Sequence, residues 1–123
     1  MLACRDLTVA VAGRLLVRGL ELRLGPGDRI ALLGPNGVGK TQALLTLAGL
    51  QRPAAGEVLL DDAPIGTLPR RVVARRLGML LQEEGPPFPG SVLDVALLGR
   101  FPHHGPWQGP GARDLALARD ALA

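Results

Sequence analysis

From Leu7 to Leu24, apolar side chains recur at close to every second position: Leu7, Val9 and Val11, then Leu15 and Val17 beyond Ala12-Gly13, then Leu20, Leu22 and Leu24. Period two puts alternate side chains on opposite faces of an extended chain, so half-buried antiparallel strands are expected. Gly25-Pro26-Gly27-Asp28 supplies turn chemistry. The pattern then changes. Residues 29–33 (Arg-Ile-Ala-Leu-Leu) form a continuous apolar run of the kind that suits a strand covered on both faces.

A helix is expected over residues 39–50, stopped near Gly49 or Pro53 because proline cannot continue it. Pro53-Ala54-Ala55-Gly56 reads as a turn, Glu57-Val58-Leu59-Leu60 as another strand, and Asp61-Asp62 as its closing turn. Residues 69–77 suggest a short helix opened by Pro69, with Arg70, Arg71, Arg75 and Arg76 on a solvated face. Gly78-Met79-Leu80-Leu81 follows as a buried strand ended by Gln82. Residues 83–90 hold too much proline and glycine for regular structure. Ser91 and Asp94 have capping-box spacing and open a helix that runs to Gly99. Residues 101–111 are another loop. Residues 112–123 have strong helical propensity but no terminal cap, and their Leu and Ala stripe has nothing later in the sequence to pack on, so an interrupted element is expected.

The composition adds limits. At 123 residues the chain is one domain at most, with 47% hydrophobic and 20% charged residues. No apolar run approaches the length of a membrane span. Any membrane role would be peripheral. The net charge of +3 could suggest nucleic acid, but the arginines are dispersed and two Phe and one Trp leave little to stack on bases. No nucleic-acid partner is therefore expected. Cys4 is the only cysteine, which excludes an internal disulfide and points to a small strand-end residue in a reducing compartment.

Lys40 is the only lysine in a chain rich in arginine, and it stands in Gly34-Pro35-Asn36-Gly37-Val38-Gly39-Lys40-Thr41. That is the P-loop pattern, and the chemistry needs each residue type in it. Glycines let the backbone turn its N–H groups inward around phosphate oxygens. The compact lysine ammonium reaches the β- and γ-phosphates, Thr41 offers a hydroxyl to Mg²⁺, and the helix that follows points its positive pole at the anion. The apolar run before the motif and the helix after it meet the strand–loop–helix context that separates this pattern from a chance glycine-rich turn.

With these elements in place, the whole chain resembles the amino-terminal half of an ABC transporter ATP-binding subunit. Gly34 to Thr41 corresponds to Walker A, Gly56 to Asp62 to the strand closing the antiparallel subdomain, and Leu81-Gln82 to the Q-loop. Leu97-Leu98-Gly99-Arg100-Phe101-Pro102-His103-His104 is similar to a stretch of the importers for iron chelates, haem and cobalamin. The resemblance implies an α/β fold with a P-loop NTPase core, an antiparallel β subdomain and the start of a helical subdomain, with residues 1–123 forming the amino-terminal part of one nucleotide-binding domain. It implies ATP and Mg²⁺ as ligands, held by Gly34, Pro35, Asn36, Gly37, Val38, Gly39, Lys40, Thr41 and Gln42. Thr41 and Gln82 would serve the metal, and Gln82 would couple it to the attacking water. Implied partners are transmembrane permease subunits and a second ATP-binding subunit, at the cytoplasmic face of the membrane.

Departures from the family pattern weigh against activity. Val11 stands where family members usually place an adenine-stacking aromatic, and Gln42 where Ser or Thr commonly meets the α-phosphate. The signature motif, Walker B acids and switch histidine would lie beyond Ala123, so the chain alone is expected to bind nucleotide weakly and hydrolyse it poorly or not at all. A truncated or decayed copy acting as an interaction fragment is the rival reading. A P-loop kinase is a third, disfavoured by the antiparallel lead-in. Val58 to Asp62 also imitates a Walker B strand, although turn-forming aspartates explain it as well. His103 and His104 are expected on a loop surface, and Glu83 and Glu84 as solvated loop residues.

Overall fold

A computed structural model of the protein describes residues 1–81, 89–105 and 107–123. It contains two compact units, Met1–Val73 and Ala74–Ala123.

The first unit is built on an antiparallel sheet in the order β2-β1-β3-β4. Strands β1 (Leu2–Val11) and β2 (Arg14–Leu24) form the expected hairpin. Its two turn residues, Ala12 and Gly13, both have positive φ, which matches the twist of paired strands. Strand β3 (Ala55–Leu60) pairs with the other edge of β1, and the two-residue β4 (Ala63–Pro64) folds back on it through the Asp61-Asp62 turn. β3 therefore begins at Ala55, inside the stretch expected as a turn. Period two is realised as burial: Cys4, Leu7 and Val9 are almost fully enclosed. Burial also pushes the Cys4 thiol above its ordinary pKa.

The register of β1 slips between Cys4 and Leu7, where Asp6 has φ 45°. Gly56 lies against this bulge with φ 75°, and a Cβ there would collide with the Asp6 carbonyl oxygen. Only glycine meets both the dihedral and the close approach.

Helix α1 (Lys40–Leu47) ends before the expected limit, because Gly49 adopts φ 70° and its N–H is bonded to the Thr46 carbonyl. A left-handed glycine is a common helix stop. Ala43, Thr46 and Leu47 are its buried residues, and α1 packs on β1. The Thr46 hydroxyl donates to the Gln42 carbonyl at 2.8 Å. That bond satisfies a buried polar group. Helix α2 (Arg70–Ala74) is also shorter than expected. Its arginines are more than a solvated face: Arg70 donates to the Gly49 carbonyl at 2.8 Å, and Arg75, just past the helix, to the Pro102 carbonyl at 2.8 Å.

The two apolar runs expected as buried strands are not strands. Residues 29–33 and 78–81 carry no strand, and Leu33 and Leu80 are 87% and 99% exposed. A strand exists only through its ladder, and among the described residues neither segment has a ladder partner. In the second unit, α3 (Val92–Leu98) packs on α4 (Ala112–Leu122), and Phe101–His103 forms one 3-10 turn inside the expected loop. Gln82, Glu83 and Glu84 lie outside the described residues.

Gly56→Ala is expected to cost at least about 2 kcal/mol of stability, because it combines positive φ with a backbone collision. Urea unfolding measures it, and a change below about 0.5 kcal/mol would show that the bulge relaxes freely.

Candidate functional site

Helix α3 caps its amino terminus with side chains, and α4, whose cap is Gly111, carries an aspartate in its first turn; α1 has neither. In α3, Ser91 and Asp94 form the capping box: Asp94 accepts from the Ser91 N–H at 2.7 Å, and the Ser91 hydroxyl accepts from the Asp94 N–H at 3.2 Å. These bonds hold the Asp94 carboxyl below its ordinary pKa. In α4, Asp114 accepts from the Gly111 N–H at 3.0 Å. At α1 the cap position is Gly39, with no side chain to offer, and no acid stands in the first turn. Helix-start amides lacking an internal partner attract an anion.

The loop leading into α1 is held by contact with the sheet. Gly39 has φ 105°, and a Cβ there would lie 2.8 Å from Leu16 Cβ. Strand β2 thus sits directly beneath the helix start. Lys40 folds back over the loop, its ammonium donating to the carbonyls of Gly34 and Pro35 at 2.7 Å each. An ammonium has three donors, so the lysine braces the loop and keeps one in reserve. Thr41 is exposed at the same helix end. Gln42 occupies the third helical position, where a glutamine can complete a capping box, yet its Oε1 is buried without a partner.

The structure therefore brings Gly34, Pro35, Asn36, Gly37, Val38, Gly39, Lys40, Thr41 and Gln42 together in one short loop and helix start. For a divalent cation the donor set fits one arrangement. Among the described residues no three His, Cys, Asp or Glu side chains gather as a metal site. Mg²⁺ would thus be held by a ligand's phosphate oxygens and the Thr41 hydroxyl. Asp61 and Asp62 form the β3–β4 turn at positive φ, and Asp61 accepts from the Met1 amino group at 2.7 Å. β3 pairs with β1 and β4, so the Walker B imitation belongs to the antiparallel sheet. A cleft of about 400 Å³, lined by Thr46, Gly49, Arg52, Ile65 and Arg70, lies at the opposite end of α1 from the loop.

The second unit holds a cluster that sequence reasoning missed. Asp114 accepts from Arg100 Nε at 2.8 Å, and His104 Nε2 lies 3.0 Å from its other oxygen. His104, expected on a loop surface, is thus largely enclosed beside a carboxylate. The Arg100 guanidinium, then the Gly111 N–H, hold the Asp114 carboxyl well below the usual carboxylate range. Partial desolvation, with Arg100 and Arg75 nearby, lowers the pKa of His103. The available signal was Gly111-x-x-Asp114, which repeats the spacing of Ser91-x-x-Asp94.

A glycine-lined loop that delivers a lysine to an uncapped helix start defines a P-loop protein. The family profile of ABC transporters matches residues 17–101. The hemin import ATP-binding protein HmuV of Myxococcus xanthus is 45% identical over 84% of this chain and 38% of its own length. That of Pseudomonas aeruginosa is 37% identical over the whole chain and 47% of its own length. Among solved structures, an inward-facing ABC transporter assigned to the metal-chelate type has 29% identity and a TM-score of 0.76, covering 98% of this chain and 42% of that one. An ATP-binding cassette bound to ADP and Pi shares the fold at 21% identity and a TM-score of 0.78, covering 99% of this chain and 56% of that one. The chain belongs to the ABC transporter family, and it spans less than half the length of these hemin-import relatives.

The charge of Asp114 stabilises the second unit above the unfolded carboxylate pKa of about 3.9, and that stabilisation is lost as pH falls through the lower folded value. Asp114→Asn should melt below the wild type at about pH 5, and the gap should narrow steadily as pH falls below about 4 towards the lower folded value. A gap independent of pH would contradict this role.

Proposed function

We propose that this chain is the ATP-binding part of an ABC importer subunit that powers uptake of hemin or a related iron chelate. The observation that carries the nucleotide reading is the uncapped start of α1 beneath a glycine-lined loop braced by Lys40. The relatives' names support the hemin-type substrate. In this reading the amides of residues 34–42 receive the triphosphate, and Lys40 exchanges its carbonyl partners for the β- and γ-phosphates. Gln42 meets the α-phosphate through its N–H. Thr41 holds Mg²⁺, which neutralises phosphate charge when bound. Gln82 links the metal and attacking water to docking on the transmembrane permease subunits. A second ATP-binding subunit completes the assembly, on the cytoplasmic face of the membrane. Among the described residues no helix is long and apolar enough to cross a membrane, which suits a subunit attached through partners. Hydrolysis belongs to the complete subunit.

The exposure of Leu33 and Leu80 favours a second reading, a non-catalytic interaction fragment. Calorimetric titration with MgATP separates the two. The wild type should bind, Lys40→Ala should lose at least about tenfold in affinity while keeping its circular dichroism, and Thr41→Val should lose the enhancement by Mg²⁺. Equal heats for folded wild type and Lys40→Ala would refute the nucleotide reading.

A further inference from the structure

The cleft of about 400 Å³ at the carboxyl end of α1 lies wholly within Met1–Val73 and includes none of residues 34–42. Two glycines fix its walls. Gly49 adopts φ 70°, and a Cβ there would lie 2.8 Å from Ile65 Cδ1, so the end of α1 rests directly on the Ile65–Thr67 3-10 turn. Gly56, at φ 75°, is held against the β1 bulge, where a Cβ would meet the Asp6 carbonyl oxygen. Walls set by backbone contacts of this kind make a cavity that is formed before a ligand arrives, and its volume falls in the range of small-molecule sites.

Two kinds of surface meet in this cleft. Val58 and Ile65 are buried and Leu68 and Val73 half-buried, which gives it an apolar lining. Arg52 and Arg70 add two guanidinium groups. Arg70 spends one donor on the Gly49 carbonyl at 2.8 Å, which ties it to the end of α1 and leaves other donors of its fork for a ligand. Arg52 is exposed and has no hydrogen-bond or ion-pair partner among the described residues. Glu57 is the one acid of the lining, and Arg5 stands 3.5 Å from it, so positive charge prevails. A guanidinium fork matches the paired oxygens of a carboxylate, and apolar surface beside it favours a hydrocarbon body over a bare inorganic ion.

We propose that this cleft is a second binding site, one for a small organic carboxylate, whose acid group meets Arg52 and Arg70 and whose hydrocarbon body lies against Val58, Ile65, Leu68 and Val73. No residue of the phosphate loop takes part, so the site stands or falls apart from the nucleotide reading.

Amide chemical-shift titration of the full chain with acetate, butanoate and hexanoate tests it, with neutral hexanamide and cationic hexylamine as controls. The signals of Gly49, Gly56 and Gly66, all in the lining, should move saturably with hexanoate. Affinity should rise at least about threefold at each step of the acid series, because each adds two methylenes. Hexanamide and hexylamine should bind at least about tenfold more weakly than hexanoate. Arg52→Gln removes an exposed side chain that braces nothing, so it should keep the circular dichroism of the wild type and weaken hexanoate at least about fivefold. Shifts confined to residues 34–42, an affinity indifferent to chain length, equal binding of hexanamide, or an Arg52→Gln variant that binds hexanoate as the wild type does would each overturn the inference.

Discussion

The close approach of Gly39 to Leu16 is the contact on which the site depends. It sets the start of α1 on strand β2 with no room for a side chain between them, and the absence of a side chain leaves the helix start uncapped. One steric requirement thus has an electrostatic result. The amides that a serine or aspartate would otherwise satisfy are left for an anion, and the helix dipole favours it.

The same chain shows what happens when that requirement is missing. At α3 and α4 the third helical residue is an aspartate, which accepts from the cap residue's N–H and sets a negative charge at the helix start; at α3 the Ser91 hydroxyl also accepts from the Asp94 N–H. Asp114 then uses its remaining capacity on Arg100 and His104, tying the 3-10 turn to α4. The start of α4 is thus a structural joint, and that of α3 a locally closed cap. Among the described residues only α1 combines a bare cap with no acid in its first turn, a glycine-lined approach and a lysine folded over that approach.

Local chemistry was legible in the sequence. Period two at Leu7 and Val9 gave the hairpin core, Ser91 and Asp94 the capped helix, and the spacing from Gly34 to Thr41 the loop. The apolar runs at residues 29–33 and 78–81 misled, because hydrophobicity marks a segment that could be buried in a sheet but does not supply the neighbour that pairs with it. Arg70, Arg75 and Arg76 are exposed as expected, but the bonds that Arg70 and Arg75 make were not legible, for a related reason. Spacing along a helix says nothing about the Gly49 and Pro102 carbonyls that tertiary structure brings to Arg70 and Arg75. The role of Asp114 was hidden because its cap is a glycine, a weaker signal than serine.

The most direct test of the central claim is amide chemical-shift mapping during titration with MgATP. The N–H signals of Lys40, Thr41 and Gln42 should move strongly while those at the starts of α3 and α4 stay in place. Stationary signals at the start of α1, with shifts appearing elsewhere, would contradict the account.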